Sequence, residues 1–128
     1  MTPGLSSQDK VREGLSAALD RKAAAVLVFN LIELTTMADY FVLSTARSDR
    51  QARAIADAIA EKLGPANSVE GMATANWILL DYGDVVFHVF QDEARKFYAL
   101  ERLWGDAANE TGFFSEGAPP LQESRRPL

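Results

Sequence analysis

Trp77-Ile78-Leu79-Leu80-Asp81-Tyr82-Gly83-Asp84-Val85-Val86-Phe87-His88-Val89-Phe90 is the stretch that decides the fold. Two apolar runs, Trp77 to Leu80 and Val85 to Phe90, flank a short polar break, and a β-hairpin is the simplest connection. With Tyr82-Gly83 at the tip, Asp81 sits opposite Asp84, Leu79 opposite Val86, and Trp77 opposite His88. Side chains alternate along a strand, so these six share one face: an indole and an imidazole among carboxylates and aliphatic groups. The other face carries Ile78, Leu80, Val85, Phe87 and Val89, has no polar side chain, and belongs to the core. An aromatic anchor beside polar groups has the anatomy of a protein-binding patch. A competing reading packs the helix that follows over this face and makes Trp77 and His88 core residues.

Outward from the hairpin, helix and strand signals alternate. Val11, Leu15, Ala18 and Leu19 recur at helical spacing and predict a first helix from Ser7 to about Lys22, capped by Ser6 or Ser7. Ala24 to Leu31 is almost continuously apolar, as in a strand buried on both faces. Glu33 to Asp39 interrupts it, and Tyr40 to Thr45 reads as a second strand. Ser48 and Gln51 form a capping box before a helix whose buried face is Ala52, Ile55, Ala56, Ile59 and Leu63, stopped by Gly64-Pro65. Ser68 to Gly71 predicts a short strand, and Asp92 to Asp106 a final helix. From Asn109 the composition turns to Gly, Pro, Ser and charge. Residues 1–108 are therefore expected to form one domain and residues 109–128 a disordered tail. The fold class is α/β (α+β), a mixed sheet of about five strands with helices packed on it.

Composition narrows the function. The chain has 128 residues and no cysteine, which removes disulfides, thiolate metal sites and a cysteine nucleophile. Eighteen acids against thirteen bases give a net charge of −5, which argues against direct binding to a phosphate backbone. An acidic protein is instead suited to a basic protein partner. The longest apolar stretch, Ala23 to Phe29, is too short to span a bilayer, and Met1 to Ser7 lacks the features of a signal peptide. The expectation is a soluble intracellular protein, cytoplasmic or a mature organellar form.

Enzyme chemistry finds little to work with. His88 is the only histidine, and no nucleophile signature such as G-x-S-x-G accompanies it. Asp81, Asp84 and His88 lack the ligand density of a calcium loop, so no metal is expected. No phosphate-binding glycine pattern occurs, so no cofactor is expected. Asp92-Glu93 reads as helix capping.

The segment Val69 to Ala107 resembles the ribosomal silencing factor family, also called Iojap-like. The resemblance rests on Val69-Glu70-Gly71, on Trp77 through Phe90, and on Arg95, Phe97-Tyr98, Leu100-Glu101 and Leu103-Trp104. Ala38-Asp39-Tyr40-Phe41-Val42 and Ser48 to Ala52 match upstream. The resemblance implies a core like that of the nucleotidyltransferases without their catalytic acids. It also implies a non-enzymatic translation repressor that binds the L-fourteen protein of the large ribosomal subunit and blocks joining of the small subunit when nutrients are scarce. Some relatives form homodimers. On this reading Trp77 is the anchor, with Leu79 and Val86 beside it. Asp81, Asp84 and Glu70 supply charge complementarity, and His88 makes one hydrogen bond. Asp39, Tyr40, Arg95, Tyr98, Glu101 and Trp104 are motif residues that either touch the partner or hold the fold. One departure is visible, since Asn30 stands where the family usually carries aspartate. Two rivals remain: an enzyme acting on a nucleotide, suggested by fold analogy alone, and a homodimeric scaffold using the hairpin face on itself.

Overall fold

Ser6 and Ser48 start the two helices. The Ser6 hydroxyl accepts from the Asp9 amide (3.0 Å) and the Ser48 hydroxyl from the Gln51 amide (3.1 Å), each satisfying a donor that a helix start leaves orphaned. The computed structural model describes residues 5–91, 108–111 and 114. Helix α1 spans Ser7–Asp20 and α2 spans Asp49–Leu63. The strands are β1 (Ala24–Asn30), β2 (Tyr40–Ala46), β3 (Ser68–Glu70), β4 (Trp77–Asp81), β5 (Val85–Gln91) and β6 (Ala108–Asn109). They form one mixed sheet in the order β3-β4-β5-β2-β1-β6, with β2 and β5 parallel and the other pairs antiparallel. The expected α+β class, with helices packed on a mixed sheet, is the architecture found. The helix expected over Asp92 to Asp106, with Arg95, Tyr98, Glu101 and Trp104, lies outside the described residues.

The sheet is apolar on both faces. One face packs Val28, Tyr40, Val42, Ile78, Leu80, Val85, Phe87 and Val89 against Val11 and Leu15 of α1 and Ile55 and Ile59 of α2. A second cluster gathers Phe29, Leu31, Phe41, Leu43, Val86 and Phe90 on the opposite face, with Trp77 and Leu79 partly buried beside it. Every residue of β2 is buried, as expected of a central strand with apolar neighbours on either side. Gln51 does more than cap its own helix. Its Oε1 accepts from the Arg47 amide (2.7 Å), and its Nε2 donates to the carbonyls of Arg21 (3.0 Å) and Lys22 (3.1 Å). One side chain thus fastens the end of α1 to the start of α2.

The chain beyond residue 108 corrects the expected domain boundary. Asn109 and Ala108 pair with Phe29 and Asn30 of β1. The Glu110 amide donates to the Val28 carbonyl (2.8 Å), and the Val28 amide donates to Thr111 Oγ1 (2.8 Å). Phe114 is buried edge-on against Tyr40, ring centroids 5.5 Å apart. Residues 109–111 and 114 therefore belong to the fold. A two-residue strand carries no period of its own and exists only because β1 offers it a ladder.

Asn30 sits at this junction. Its Oδ1 accepts from the Ile32 amide (2.9 Å), and its Nδ2 donates to Glu110 Oε2 (3.2 Å). An aspartate here keeps the first bond but meets Glu110 with a like charge and no donor. Asn30→Asp is expected to cost about 1–2 kcal/mol of unfolding free energy at pH 7, read by urea denaturation. Glu110→Gln in the same chain should restore most of the loss, because the two side chains act as a coupled pair.

Candidate functional site

The hairpin forms with a register different from the expected one. Trp77 pairs with Phe90, Leu79 with His88, and Asp81 with Val86. The Tyr82 amide donates to the Val85 carbonyl (2.9 Å), so the two loop residues are Gly83 and Asp84 rather than Tyr82 and Gly83. Gly83 has φ +91°, in the left-handed region that favours glycine, and Asp81 Oδ1 accepts from the Gly83 amide (2.7 Å). Tyr82 is held away from the tip. Its ring packs edge-on against Phe87 (5.8 Å), and its hydroxyl donates to the Gly64 carbonyl (2.7 Å), with burial pushing the phenol pKa up. Partners shift by two residues, so the strand residues Trp77, Leu79, Asp81, Val86 and His88 keep their expected face, whereas Asp84 moves into the tip and reaches Lys10 of α1 on the helix side. Phe90 belongs to the mixed face as well, and continuing the alternation from Val86 and His88 would have found it.

The turn before β4 is tightly built. Gly71 has φ +89°, and a Cβ there would collide with the Trp77 carbonyl. Arg53 of α2 donates from Nε to the Met72 carbonyl (2.9 Å) and from a terminal nitrogen to the Ala73 carbonyl (2.6 Å). Gln91 Nε2 donates to the Ala75 carbonyl (3.0 Å), and the Gln91 amide to that of Asn76 (3.0 Å). These clamps fix the backbone from which Trp77 projects.

Trp77 is half-buried. Its Nε1 donates to His88 Nδ1 (3.1 Å), and its ring stacks on Phe90 with centroids 5.1 Å apart. Phe41 closes the other side of His88 at 4.8 Å. Because Nδ1 accepts, the imidazole proton sits on Nε2, which has no hydrogen-bond partner among the described residues. Burial pushes the His88 pKa down to about 4, against an opposing pull from the Asp81 carboxylate. At neutral pH the ring is therefore uncharged.

The remaining sequence-predicted residues differ in exposure and in their partners within the fold. Glu70 is exposed on β3, while Leu79, Asp81 and Asp84 are half-buried. Val86 and His88 are buried, and His88 meets the half-buried Trp77 through the indole hydrogen bond. Asp84 Oδ1 receives Lys10 Nζ at 2.8 Å, and its carbonyl accepts from the amides of Asp39 (2.7 Å) and Tyr40 (3.1 Å). Tyr40 is buried on the helix-facing side, and burial raises its phenol pKa. Asp39 is half-buried at the start of β2. Among the described residues, no three His, Cys, Asp or Glu side chains gather as a metal site, and no helix is long and apolar enough to cross a membrane. Residues 23–46 and 63–94 contain no Lys or Arg, so β1 to β5 and the loops flanking the hairpin carry acids without bases.

The His88 environment sets a pH dependence. The unfolded chain binds the imidazole proton near pH 6.5 and the folded chain near pH 4, so in that window the unfolded state holds more protons. Stability is full above pH 6.5 and falls as the pH drops toward 4. Relative to His88→Gln, the wild type is expected to lose about 3 kcal/mol across this window, measured by urea denaturation at stepped pH.

The family model described as "Ribosomal silencing factor during starvation" matches residues 5–127, running past the expected boundary at 108. The ribosomal silencing factor RsfS of Halalkalibacterium halodurans is 37% identical over 107 residues, covering 80% of this chain and 92% of that protein. RsfS of Bacillus subtilis is 38% identical, covering 72% and 81%. The chloroplastic protein Iojap of Zea mays is 35% identical over 71% of this chain and 41% of its own length. A crystal structure of a Chromobacterium violaceum protein superimposes with a TM-score of 0.76 at 30% identity, covering 79% of this chain and 88% of that one. With a matching model over nearly its whole length and relatives of this similarity, the chain belongs to the ribosomal silencing factor family.

Proposed function

We propose that this protein silences translation by obstruction, in the cytoplasm and under nutrient limitation. It docks on the L-fourteen protein of the large ribosomal subunit and denies the small subunit the same ground. The observation that carries the reading is a half-buried Trp77 on strands that carry carboxylates and no Lys or Arg of their own, in a member of a ribosome-silencing family. A ribosomal protein is basic because it lies against RNA, so such a region complements it in charge. Trp77 is the anchor, Leu79 adds apolar contact, and Glu70, Asp81 and Asp84 give the acidic rim. His88 holds the indole in place.

The mechanism makes and breaks no bond. A single buried histidine, neutral at pH 7 and already accepting from an indole, is poorly placed for proton transfer to a substrate. Steric exclusion asks only for a rigid surface of the right shape and charge.

Co-sedimentation with isolated large subunits, followed by addition of small subunits, tests this. The wild type should travel with large subunits and suppress joining at saturation; undiminished joining overturns the obstruction mechanism. Trp77→Ala, shown to be folded by its melting profile, should weaken capture by about 2 kcal/mol or more. A folded variant captured at wild-type strength removes Trp77 from the interface.

A further inference from the structure

The loop joining β1 to β2 exposes three large apolar side chains within six residues: Ile32 at 52%, Leu34 at 47% and Met37 at 70%. Single exposed apolar residues are ordinary, whereas a contiguous group marks a contact surface. The loop is built to hold this shape. Leu31 at its root is wholly buried, and its amide donates to the Asp39 carbonyl (2.7 Å). The Leu34 and Thr35 amides both donate to the Leu31 carbonyl (2.9 and 3.1 Å), and the Met37 amide donates to Thr35 Oγ1 (3.1 Å). A preformed turn that points apolar groups outward has little conformational freedom left to lose on binding.

Position and charge indicate the occupant. The Asp39 amide bonds the Asp84 carbonyl, which sets the loop beside the hairpin tip at one end of the sheet. Glu33 is exposed on the loop and Asp39 half-buried at its end, with no Lys or Arg from residue 23 to 46. Lys10, which reaches the hairpin tip, is taken by Asp84. We propose that this loop is a second anchor, gripping a basic protein surface of the large subunit. Ile32, Leu34 and Met37 fill an apolar depression there, and Glu33 and Asp39 meet its Lys and Arg side chains. The inference rests on the ribosome-docking reading and extends it from the face of the hairpin to the end of the sheet.

The test uses the full chain and isolated large subunits. Ile32→Lys and Met37→Lys should each weaken capture by about tenfold or more, as loss of a buried anchor does. Met37→Leu should stay within about twofold, and Glu33→Lys should weaken capture most at low salt. Melting temperatures are compared first, and where Met37→Lys lowers its own, Met37→Ser is read in its place. A folded Met37 variant captured like the wild type overturns the loop assignment and leaves the docking function standing. Failure of the wild type itself to be captured overturns both. Sedimentation velocity supplies a further arm: a Met37 variant that loses self-association but keeps capture makes the loop a contact between copies and overturns the proposal.

Discussion

An indole N–H can donate to an imidazole nitrogen only while that nitrogen is unprotonated, and this condition governs the sheet surface around Trp77. Burial among Phe41, Trp77 and Phe90 keeps His88 neutral, and neutrality leaves Nδ1 free to accept. The bond crosses the hairpin diagonally, since Trp77 lies opposite Phe90 while His88 lies opposite Leu79. Diagonal neighbours are separated by about 7–8 Å, within reach of aromatic side chains. The hairpin register, the imidazole tautomer and the orientation of the half-exposed indole are therefore one constraint seen three ways. A protonated ring at this position would lose its acceptor and carry an unpaired charge in an apolar site.

The distribution of charge follows from the same layering. Helix α2 carries Arg53, which holds the turn before β4 and pairs with Asp49, and Lys62, which pairs with Glu13 of α1. Residues 23–46 and 63–94, which include β1 to β5, hold carboxylates and no Lys or Arg. Several of those carboxylates have framework duties: Asp81 shapes the tip, and Asp84 holds Lys10 from α1. Half-buried side chains with fixed partners still contribute to the field felt by an approaching basic surface. A rigid acidic surface acts on encounter as well as on the final contact.

Much of this was legible in the residues. Period-two alternation assigned the faces of the strand residues correctly even though the register was off, because a shift of two residues leaves each on its own face; only Asp84, now in the tip and bound to Lys10, left the face expected of it. The tip was misread because Tyr82-Gly83 looks like a turn pair. The backbone instead needs Gly83 first, with Tyr82 drawn inward by Phe87 and Gly64. Both helix starts were written in Ser6 and Ser48, whose side chains act within three residues of themselves. The reach of Gln51 to the end of α1 spans about thirty residues and leaves no local trace. Likewise nothing in the sequence near Asn109 announces a strand, since its stability comes from Val28, Phe29 and Asn30 far upstream. The burial of His88 was one of two open readings, and only tertiary packing decides between them.

The short β6 gives the last strand of the sheet a further role. Together with Glu110 and Thr111 it occupies the outward-facing amide and carbonyl of Val28, which would otherwise stand bare along β1. An uncovered row of that kind is a template for strands from other molecules. Residues 108–111 therefore work as a selvedge, and a chain cut back to residue 107 would leave β1 exposed to edge-to-edge polymerisation.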